Sequence, residues 1–403
     1  MPMHSYHIFY FPFKWEVKGR ENMLFAEQTN LDHISWNPYS NWLVDTEITD
    51  EKELNELYNE KNYYYEFVHP VLYDTGKKNS IVKHFERKEP QQRDVLYKIS
   101  KKGGKTYSLK VDAINLNLYA TGVGMLTFYL INELDNQKEP EDILFINQYG
   151  RRIFPPFIAD LEYRNEIAES ISIEGLNGEV SHFYEDFSSY TNKKPWKPTC
   201  FINNMITDVC DKIKITPVID DRMFVLCWYG NDELSRSISD NFQDFIYQDN
   251  FWYNYVFVDK GDPTCQNKEM RKELTDESIY KRWQEYGTIY GMSRYSFVAL
   301  MDTGSFSTNV LFIHMRTIYA RMVELVLVQR SSTLRFSDEI TRVSCLSKDN
   351  KVEKEVIEQI SSLYKEYIRF INQVHFREVT TQDQGIEIYD LMTKTLKINI
   401  GVR

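Results

Sequence analysis

The last hundred residues of the chain predict two long helices and contain no run apolar enough to span a membrane. The first helix is predicted over residues 309–344 and the second over residues 352–398. At 1.5 Å per residue, a helix of about 45 residues is about 65 Å long, which far exceeds the average helix of a globular protein. Helices of this length usually serve oligomerisation, bundling or force transmission.

Both predicted helices carry one apolar stripe and one charged face. In the first helix the stripe consists of Val310, Ile313, Thr317, Ala320, Val323 (or Glu324), Leu327 and Leu334. In the second it consists of Val356, Ile360, Leu363, Tyr367, Phe370 and Val374. The polar residues 346–353 predict an antiparallel connection between the helices. Gly385 is a point at which the second helix could break, because glycine costs about 1 kcal/mol relative to alanine in a helix.

The first 155 residues predict a mainly antiparallel sheet. Residues 4–15 are rich in aromatic and β-branched side chains, and Pro12 among them suggests an edge position or a strand end. Residues 113–120 alternate apolar and polar side chains, and residues 125–131 follow as a partner strand. Two other short apolar runs are also predicted as strands, at residues 142–147 and 252–258.

These patterns predict an α+β protein in which a mainly antiparallel sheet domain is followed by a long antiparallel helical hairpin or stalk. At 403 residues the chain is long enough for two domains. The expected division is an α/β domain over residues 1–300, with a sub-boundary near residues 155–200, and the helical hairpin over residues 305–403. The apolar content of 42% and aromatic content of 15% are those of a folded protein with a large core.

Charge and cysteine usage exclude several classes of protein. The net charge of −11 argues against binding to nucleic acid or to an anionic membrane surface, since both attract basic proteins. The five cysteines are widely spaced without a Cys-x-x-Cys pair, so neither a disulfide framework nor a cysteine zinc site is expected. No signal-peptide pattern begins the chain. We therefore expect a cytoplasmic protein with no membrane span.

Two Asp-Thr-Gly triplets occur, at residues 74–76 and 302–304. The second follows an apolar strand, which is the local pattern of aspartic proteases, where two carboxylates share a proton. Such an enzyme needs two similar β-rich lobes, whereas a long helix is predicted directly after the second triplet. The alternative, which this context favours, is a turn between a strand and the start of a helix.

Other motifs of catalytic and cofactor sites are incomplete. Gly104-Lys105-Thr106 ends like a phosphate-binding loop, but Ile99 occupies the position of its first glycine. Gly122-Val123-Gly124 lacks the third glycine of a dinucleotide fingerprint, so a bulge or tight turn between strands is predicted there. His314 and His375 could approach each other across the helical pair, but no metal-binding spacing supports them. These motifs therefore predict no metal site, and the sequence does not identify a cofactor.

A carboxylate site in the α/β domain is an alternative basis for function. Asp220 and Asp221 lie at the entry of an apolar strand, and Asp232, Glu233 and Asp259 are expected at other strand ends. Paired carboxylates can hold Mg²⁺, which makes Asp220, Asp221 and Asp259 the catalytic candidates of a metal-dependent enzyme. The competing interpretation is that these residues serve as turn residues and helix caps.

Four arginines are candidates for anion binding. Arg316 and Arg321 lie in the first long helix, and Arg151 and Arg152 lie on a predicted β-type loop. Guanidinium groups pair well with phosphates and carboxylates. The alternative for the helical arginines is a solvated face with ion pairs four residues apart.

The C-terminal helices carry a resemblance to a known family. Within residues 309–345, the sequence Leu-Phe-Ile-His-Met-Arg-Thr-Ile-Tyr-Ala-Arg-Met-Val-Glu-Leu and the helix that follows resemble the cytoplasmic part of the CorA-type divalent-metal channels. Those proteins have an α/β domain, a helical hairpin and a long stalk helix that leads into the membrane. The resemblance implies that residues 1–300 form the α/β part, residues 309–345 supply the hairpin and residues 352–398 form the stalk.

Two features depart from that family. The chain ends at Arg403, where the first membrane helix would begin. The family's Gly-Met-Asn signature is absent, and the nearest sequence, residues 290–293, has serine in place of asparagine and precedes the long helices. The resemblance therefore implies oligomerisation through the long helices without a pore.

These observations favour a cytoplasmic, CorA-like interaction protein that forms homo-oligomers through its C-terminal helices and senses a ligand or partner. Two alternatives stand beside it. One is a metal-dependent enzyme or effector with the carboxylates named above. The other is a subunit of a larger protein complex, which the high aromatic content suggests. The sequence identifies neither the ligand nor the partner, and it does not establish whether the protein is an enzyme.

Overall fold

A computed structural model of the protein shows the aromatic segment near the N-terminus as the central strand of a large mixed sheet. The structure describes residues 3–20, 23–34, 37, 42–44, 51–73, 80–87, 95–101, 104–153, 168–175, 183–187, 199–219, 222–346 and 353–398. The strands in these ranges are β1 Ser5–Val17, β2 Trp42–Val44, β3 Val82–Arg87, β4 Leu96–Lys101, β5 Thr106–Tyr119, β6 Val123–Asn132, β7 Ala168–Glu174, β8 Tyr184–Asp186, β9 Ile213–Pro217, β10 Phe224–Gly230, β11 Ile279–Tyr280, β12 Ile289–Met292 and β13 Ser296–Met301.

The main path of the sheet has the order β11-β12-β13-β10-β1-β6-β5-β4-β7-β8. Strand β9 pairs with the far end of β1, and β2 joins the sheet through β3, which pairs with β5. Only β10 and β13 run parallel among the described strand pairs, and the others are antiparallel. The predicted α+β class with a mainly antiparallel sheet is confirmed.

Strand β1 is buried on both faces, which explains its nearly continuous run of aromatic and aliphatic side chains. Phe9, Phe11 and Phe13 point into one hydrophobic core, and Tyr6 and Ile8 point into another on the opposite face. Because side chains alternate along a strand, one sequence supplies both cores.

The edge position predicted from Pro12 is wrong, because β1 lies in the middle of the sheet. Pro12 pairs with Met125 of β6 on one side. On the other side, β10 pairs with β1 as far as Tyr10 and β9 pairs with it from Phe13 onwards. Pro12 therefore falls where one neighbouring strand gives way to the next, and its missing N–H interrupts neither of those two ladders.

The helices cover both faces of the sheet. In the described ranges they are α1 Phe25–Gln28, α2 Glu51–Tyr63, α3 His69–Leu72, α4 Pro140–Gly150, α5 Cys200–Val209, α6 Asp232–Asp240, α7 Phe242–Tyr247, α8 Asn250–Phe257, α9 Lys268–Ser278, α10 Phe312–His314, α11 Ala320–Leu346, α12 Glu353–Gln373 and α13 Asp383–Leu396. Helices α4 to α8 share the core of Phe9 and Phe11. Helices α3 and α11 to α13 share the core of Tyr6 and Ile8.

The strands predicted at residues 142–147 and 252–258 are helices, α4 and α8. Both are short and largely buried, so their apolar runs lack the one-sided pattern that identifies a surface helix. Helix α4 begins with Pro140 after a capping box formed by Glu139 and Asp142. The Asp249 side chain caps α8 by accepting a hydrogen bond from the Phe251 N–H. These capping residues are the local signals that favoured helix over strand.

The first predicted long helix is confirmed and packs onto the sheet. It consists of the π-helical turns Ser307–Leu311 and Met315–Tyr319, the helix α10 between them, and α11. Residues 322–329 of α11 are buried all round the helix. They lie between the sheet on one side and α12, α13 and α3 on the other, in a single shared core.

The second predicted helix is two helices, because the chain leaves helical geometry between α12 and α13. Tertiary hydrogen bonds replace the helical ones there. Val379 O accepts from the Tyr65 N–H at 3.0 Å, and Val374 O accepts from Gln329 Nε2 at 2.9 Å. Gly385 lies inside α13 and does not break it. A Cβ at Gly385 would lie 2.5 Å from Tyr63 Oη, so the glycine is required for close packing.

Helices α11 and α12 form the predicted antiparallel hairpin. Gln329 contacts residue 374, and farther along the pair the Phe336 ring lies 5.5 Å from the rings of Tyr367 and Phe370. Residues later in α11 contact residues earlier in α12, which is the contact pattern of an antiparallel pair.

A close aromatic contact at Gly124 yields a prediction about stability. Gly124 pairs with Phe13 across β6 and β1, and an added Cβ would lie 2.2 Å from the buried Phe13 ring. We expect Gly124→Ala to lower the free energy of unfolding by about 1–3 kcal/mol, because the ring has no space to move. Gly104→Ala is the control, since its Cβ would meet only the Lys101 side chain at 3.4 Å. Urea unfolding of the two variants would contradict this account if their stabilities were equal.

Candidate functional site

The outer side of the helical hairpin exposes a cluster of large apolar side chains. Ile340 on α11 and Ile357, Ile360, Tyr364 and Ile368 on α12 are between 40% and 63% exposed. We call these five residues the hairpin face. Isolated exposed apolar residues are ordinary on a protein surface, but a contiguous group of them usually marks an interaction site.

Helix α12 presents two apolar stripes. Val356, Leu363 and Phe370 are spaced seven residues apart and are buried against the core. Ile357, Ile360, Tyr364 and Ile368 follow each other at intervals of three and four residues and lie on the outward side. The sequence pattern grouped Ile360 with Val356, Leu363 and Phe370 in a single apolar stripe, whereas in the structure Ile360 is 52% exposed and belongs to the outward stripe.

A shallow groove of about 240 Å³ runs between the two helices at the hairpin face. Its walls are mostly apolar and consist of Ile340, Val343, Ser344, Ile360, Leu363, Tyr364 and Tyr367. Glu358 and Lys365 lie seven residues apart on α12, on the side of the exposed stripe away from the groove; both are exposed and form no ion pair within the described parts of the chain. An apolar strip with unpaired charges along one side is typical of a surface that packs against another helix.

A buried ionic network holds the long helix against α2 and the sheet. Arg321 Nε lies 3.4 Å from Glu60 Oε1, and its Nη1 lies 3.5 Å from Glu324 Oε2. Glu324 Oε1 accepts hydrogen bonds from the Tyr119 hydroxyl at 2.8 Å and from the Asn117 amide. Burial, with the nearby charge of Glu324, raises the pKa of Tyr119 well above its ordinary value, so the phenol keeps its proton and donates. The network therefore satisfies two buried carboxylates with one guanidinium.

The two helical arginines predicted to bind anions are both engaged by carboxylates. Arg321 lies in the network above. Arg316 Nε lies 3.1 Å from Asp112 Oδ2, and its Nη1 lies 3.8 Å from Glu56 Oε2. An added anion would have to displace these carboxylates, so anion binding by Arg316 and Arg321 stays a prediction.

The other predicted pair, Arg151 and Arg152, directly follows the last residue of helix α4. Arg152 forms an isolated β-bridge with Arg222. The guanidinium groups of Arg151 and Arg222 lie over the Tyr295 ring, at 5.4 and 5.7 Å from its centre. The fold thus gathers cations from separate parts of the chain around one tyrosine, which sequence spacing alone does not reveal.

The carboxylate candidates do not form one cluster in the described part of the chain. Asp220 and Asp221 lie outside the described residues. Asp259 follows helix α8, not a strand as predicted, and it accepts hydrogen bonds from the N–H and hydroxyl of Thr264 at 2.6 and 2.8 Å. Within the described residues, no three His, Cys, Asp or Glu side chains are placed to hold a metal ion.

An open cleft of about 510 Å³ lies at the carboxyl ends of the parallel strands β10 and β13. Ligands of α/β proteins commonly bind at such ends. Here the second Asp-Thr-Gly triplet forms part of the wall. Asp232 accepts hydrogen bonds from the N–H and hydroxyl of Thr303, and Asp302 accepts one from the Gly304 N–H. The triplet is therefore a turn between a strand and a helix, as the sequence context favoured.

A Cys-His-Asn group lies inside the core without the properties of a catalytic one. Cys227 Sγ is 3.5 Å from His7 Nδ1, and the same nitrogen is 2.8 Å from Asn147 Oδ1. A catalytic histidine contacts the nucleophile and the orienting residue through different nitrogens. Burial lowers the pKa of His7 to about 4 and raises the pKa of Cys227 to about 12, so both groups stay neutral. The sequence analysis missed this group because its members are far apart in the chain.

Comparison of the chain with known protein families, with curated proteins and with solved structures finds no match. Among the described residues, no helix combines the length and the apolar character that crossing a bilayer requires. All five cysteines are free thiols.

Proposed function

We propose that the protein is a cytoplasmic interaction protein that self-associates through the hairpin face and acts in ligand sensing or regulation rather than transport. The observation that supports this proposal is the exposed apolar stripe of α12. Covering water-exposed isoleucine side chains with a second helix lowers the free energy, because apolar surface is removed from water. The layout similarity to the cytoplasmic part of CorA-type channels is part of the same proposal.

The occupant that fits the hairpin face is a second copy of this chain. In an antiparallel pair of α12 helices with a two-fold axis near residue 362, Ile360 lies opposite the partner's Tyr364. Ile357 then lies opposite the partner's Ile368. A two-fold interface of this kind uses the same patch on both subunits, and the spacing of the stripe is self-complementary under that rotation.

Charge supports the same arrangement. Glu358 and Lys365 lie on the same flank of α12, where antiparallel packing brings equivalent flanks together. Glu358 of one copy then faces Lys365 of the other, and the symmetry repeats the pair. Each charge would gain a partner that it lacks within the described residues of one chain.

The test is the native mass of the wild-type protein and of Ile360→Glu, measured by light scattering after gel filtration. We expect an oligomer for the wild type and a monomer for the variant. The substitution removes about 1.5 kcal/mol of favourable apolar burial from each of the two copies. The total of about 3 kcal/mol raises the dissociation constant by about 100-fold. Met270→Glu, at another exposed apolar helix position, is the matched control and is expected to keep the wild-type mass.

Charge reversal tests the orientation. Glu358→Lys and Lys365→Glu should each weaken association, because each places like charges opposite one another across the axis. The double variant restores opposite charges and should recover association. Equal masses for wild type and Ile360→Glu would contradict the interface, and failure of the double variant to recover would contradict the antiparallel arrangement.

A further inference from the structure

A cavity lined by three cations lies where the last described helix ends. It has a volume of about 280 Å³, and its walls include Arg294, Arg330, Thr333, Leu334, Leu396 and Lys397. We call this cavity the basic pocket. None of its residues belongs to the hairpin face, so an inference about it is independent of self-association.

Three separate elements position the cations. Arg294 lies in the turn between β12 and β13, where the Ser293 hydroxyl accepts hydrogen bonds from the N–H groups of Tyr295 and Ser296. Arg330 lies on α11. Lys397 ends α13 in the left-handed conformation, with φ of 54°, and its N–H donates to Lys394 O. A left-handed lysine is sterically disfavoured, and such residues are frequent at binding sites.

The pocket concentrates positive charge in a chain whose net charge is −11. Among the described residues that line the pocket, none is a carboxylate. In the part of the chain that the structure describes, the side chains of Arg294 and Lys397 form neither an ion pair nor a hydrogen bond, which leaves their donors available. Arg294 also lines a small neighbouring cavity with Arg151 and Arg222, so the positive field extends beyond the pocket. Like charges repel, and a bound anion would offset that repulsion.

We propose that the basic pocket binds the phosphate group of a soluble small molecule. Guanidinium groups donate paired hydrogen bonds to phosphate oxygens, and a lysine ammonium adds a mobile point charge. Three cations match a phosphate dianion better than a single carboxylate. Leu334 and Leu396 offer an apolar wall for the rest of the ligand. The volume approaches the lower end of small-molecule sites, about 300 Å³.

Titration calorimetry of the full chain with inorganic pyrophosphate at low ionic strength tests the proposal. We expect saturable binding by the wild type, and an affinity that is weaker by about tenfold or more in Arg294→Gln and in Lys397→Gln, since each removes a charge-assisted contact. Lys394→Gln, one helical turn before Lys397, is the matched control and should bind as the wild type does.

Lys397→Gly separates binding from folding. Glycine accepts the left-handed conformation without steric cost, so this variant should keep or raise the midpoint of thermal unfolding while it loses affinity. Absence of pyrophosphate binding by the wild type would overturn the proposal, as would equal affinities of the wild type and Arg294→Gln. Vesicles of phosphatidylcholine and phosphatidate form a second arm. Binding to these vesicles without binding to pyrophosphate would also overturn it, because the ligand would then be a lipid headgroup.

Discussion

Replacing Arg321 by leucine is expected to lower the free energy of unfolding by about 3–5 kcal/mol, which is the effect of breaking a buried ion pair. The substitution would leave the carboxylates of Glu60 and Glu324 close together without their shared cation. Both side chains are more than nine-tenths buried, so water cannot replace the lost partner. The change should be measured by urea unfolding at neutral pH.

A double-mutant cycle identifies the cause of that loss. Glu324→Leu alone should also destabilise strongly, since it leaves Tyr119 and Asn117 without their acceptor. Arg321→Leu combined with Glu324→Leu should cost several kcal/mol less than the sum of the single changes, because it removes both charges of one pair. Strict additivity would contradict the network.

Arg342→Leu is the matched control for the cycle. Its guanidinium bonds Glu339 at 2.8 Å, but the arginine side chain is 38% exposed. Ion pairs of this kind contribute about 1 kcal/mol or less, because solvent screens them. A loss for Arg342→Leu as large as that for Arg321→Leu would show that burial is not what makes the network important.

Acid should destabilise the protein through the buried neutral His7. Burial lowers the pKa of His7 from its ordinary 6.5 to about 4, so between these values the unfolded chain binds a proton that the folded chain does not. The contribution of His7 to the free energy of unfolding is therefore fully present above about pH 6.5, and it is lost as the pH decreases towards 4. The loss from this one group reaches about 3 kcal/mol, at about 1.36 kcal/mol per pH unit.

The measurement is the free energy of unfolding between neutral pH and about pH 4.5, in the wild type and in His7→Gln. Glutamine keeps hydrogen-bonding capacity towards Ser5 and Asn147 but does not titrate. The variant should therefore lose less stability on acidification. Burial also lowers the pKa values of His84, His314 and His375, so a smaller loss of the same sign remains in the variant. Identical pH profiles for the two proteins would contradict the assignment to His7.

The sequence predicts the parts of the fold that local pattern determines. The alternation along β5, the partner strand β6 and the tight turn at Gly122 between them are confirmed. The long helix that contains α11 is also confirmed, because its apolar residues extend over many turns. Helices α4 and α8 were predicted as strands because a short helix buried on several sides has no polar face to reveal its period.

Tertiary contacts decide the remaining features. The break between α12 and α13 depends on hydrogen bonds to Tyr65 and Gln329, which are distant in sequence. Pro12 is tolerated in the central strand β1 because the strand that pairs with β1 on one side changes there, from β10 before Pro12 to β9 after it. The conformational preference of a single residue does not predict which distant segments will contact it.

The candidate sites, too, were predicted from the sequence only in part. Apolar spacing along α12 predicts a helix with a stripe, but it does not distinguish Ile360 on the outward side from Leu363 in the core. Arg151 was a candidate from sequence, whereas Arg294, Arg330 and Lys397 come together only in the fold. In a chain with a net charge of −11, an isolated arginine or lysine does not indicate a binding site until the residues that surround it in the fold are known.

The most direct test of self-association is sedimentation equilibrium of the unmodified protein over a range of concentrations. The chain has a mass of 48.1 kDa. We expect a defined multiple of that mass, with dissociation towards the monomer on dilution, since we propose that a second copy covers the hairpin face. A single species at the mass of one chain at every concentration would contradict it.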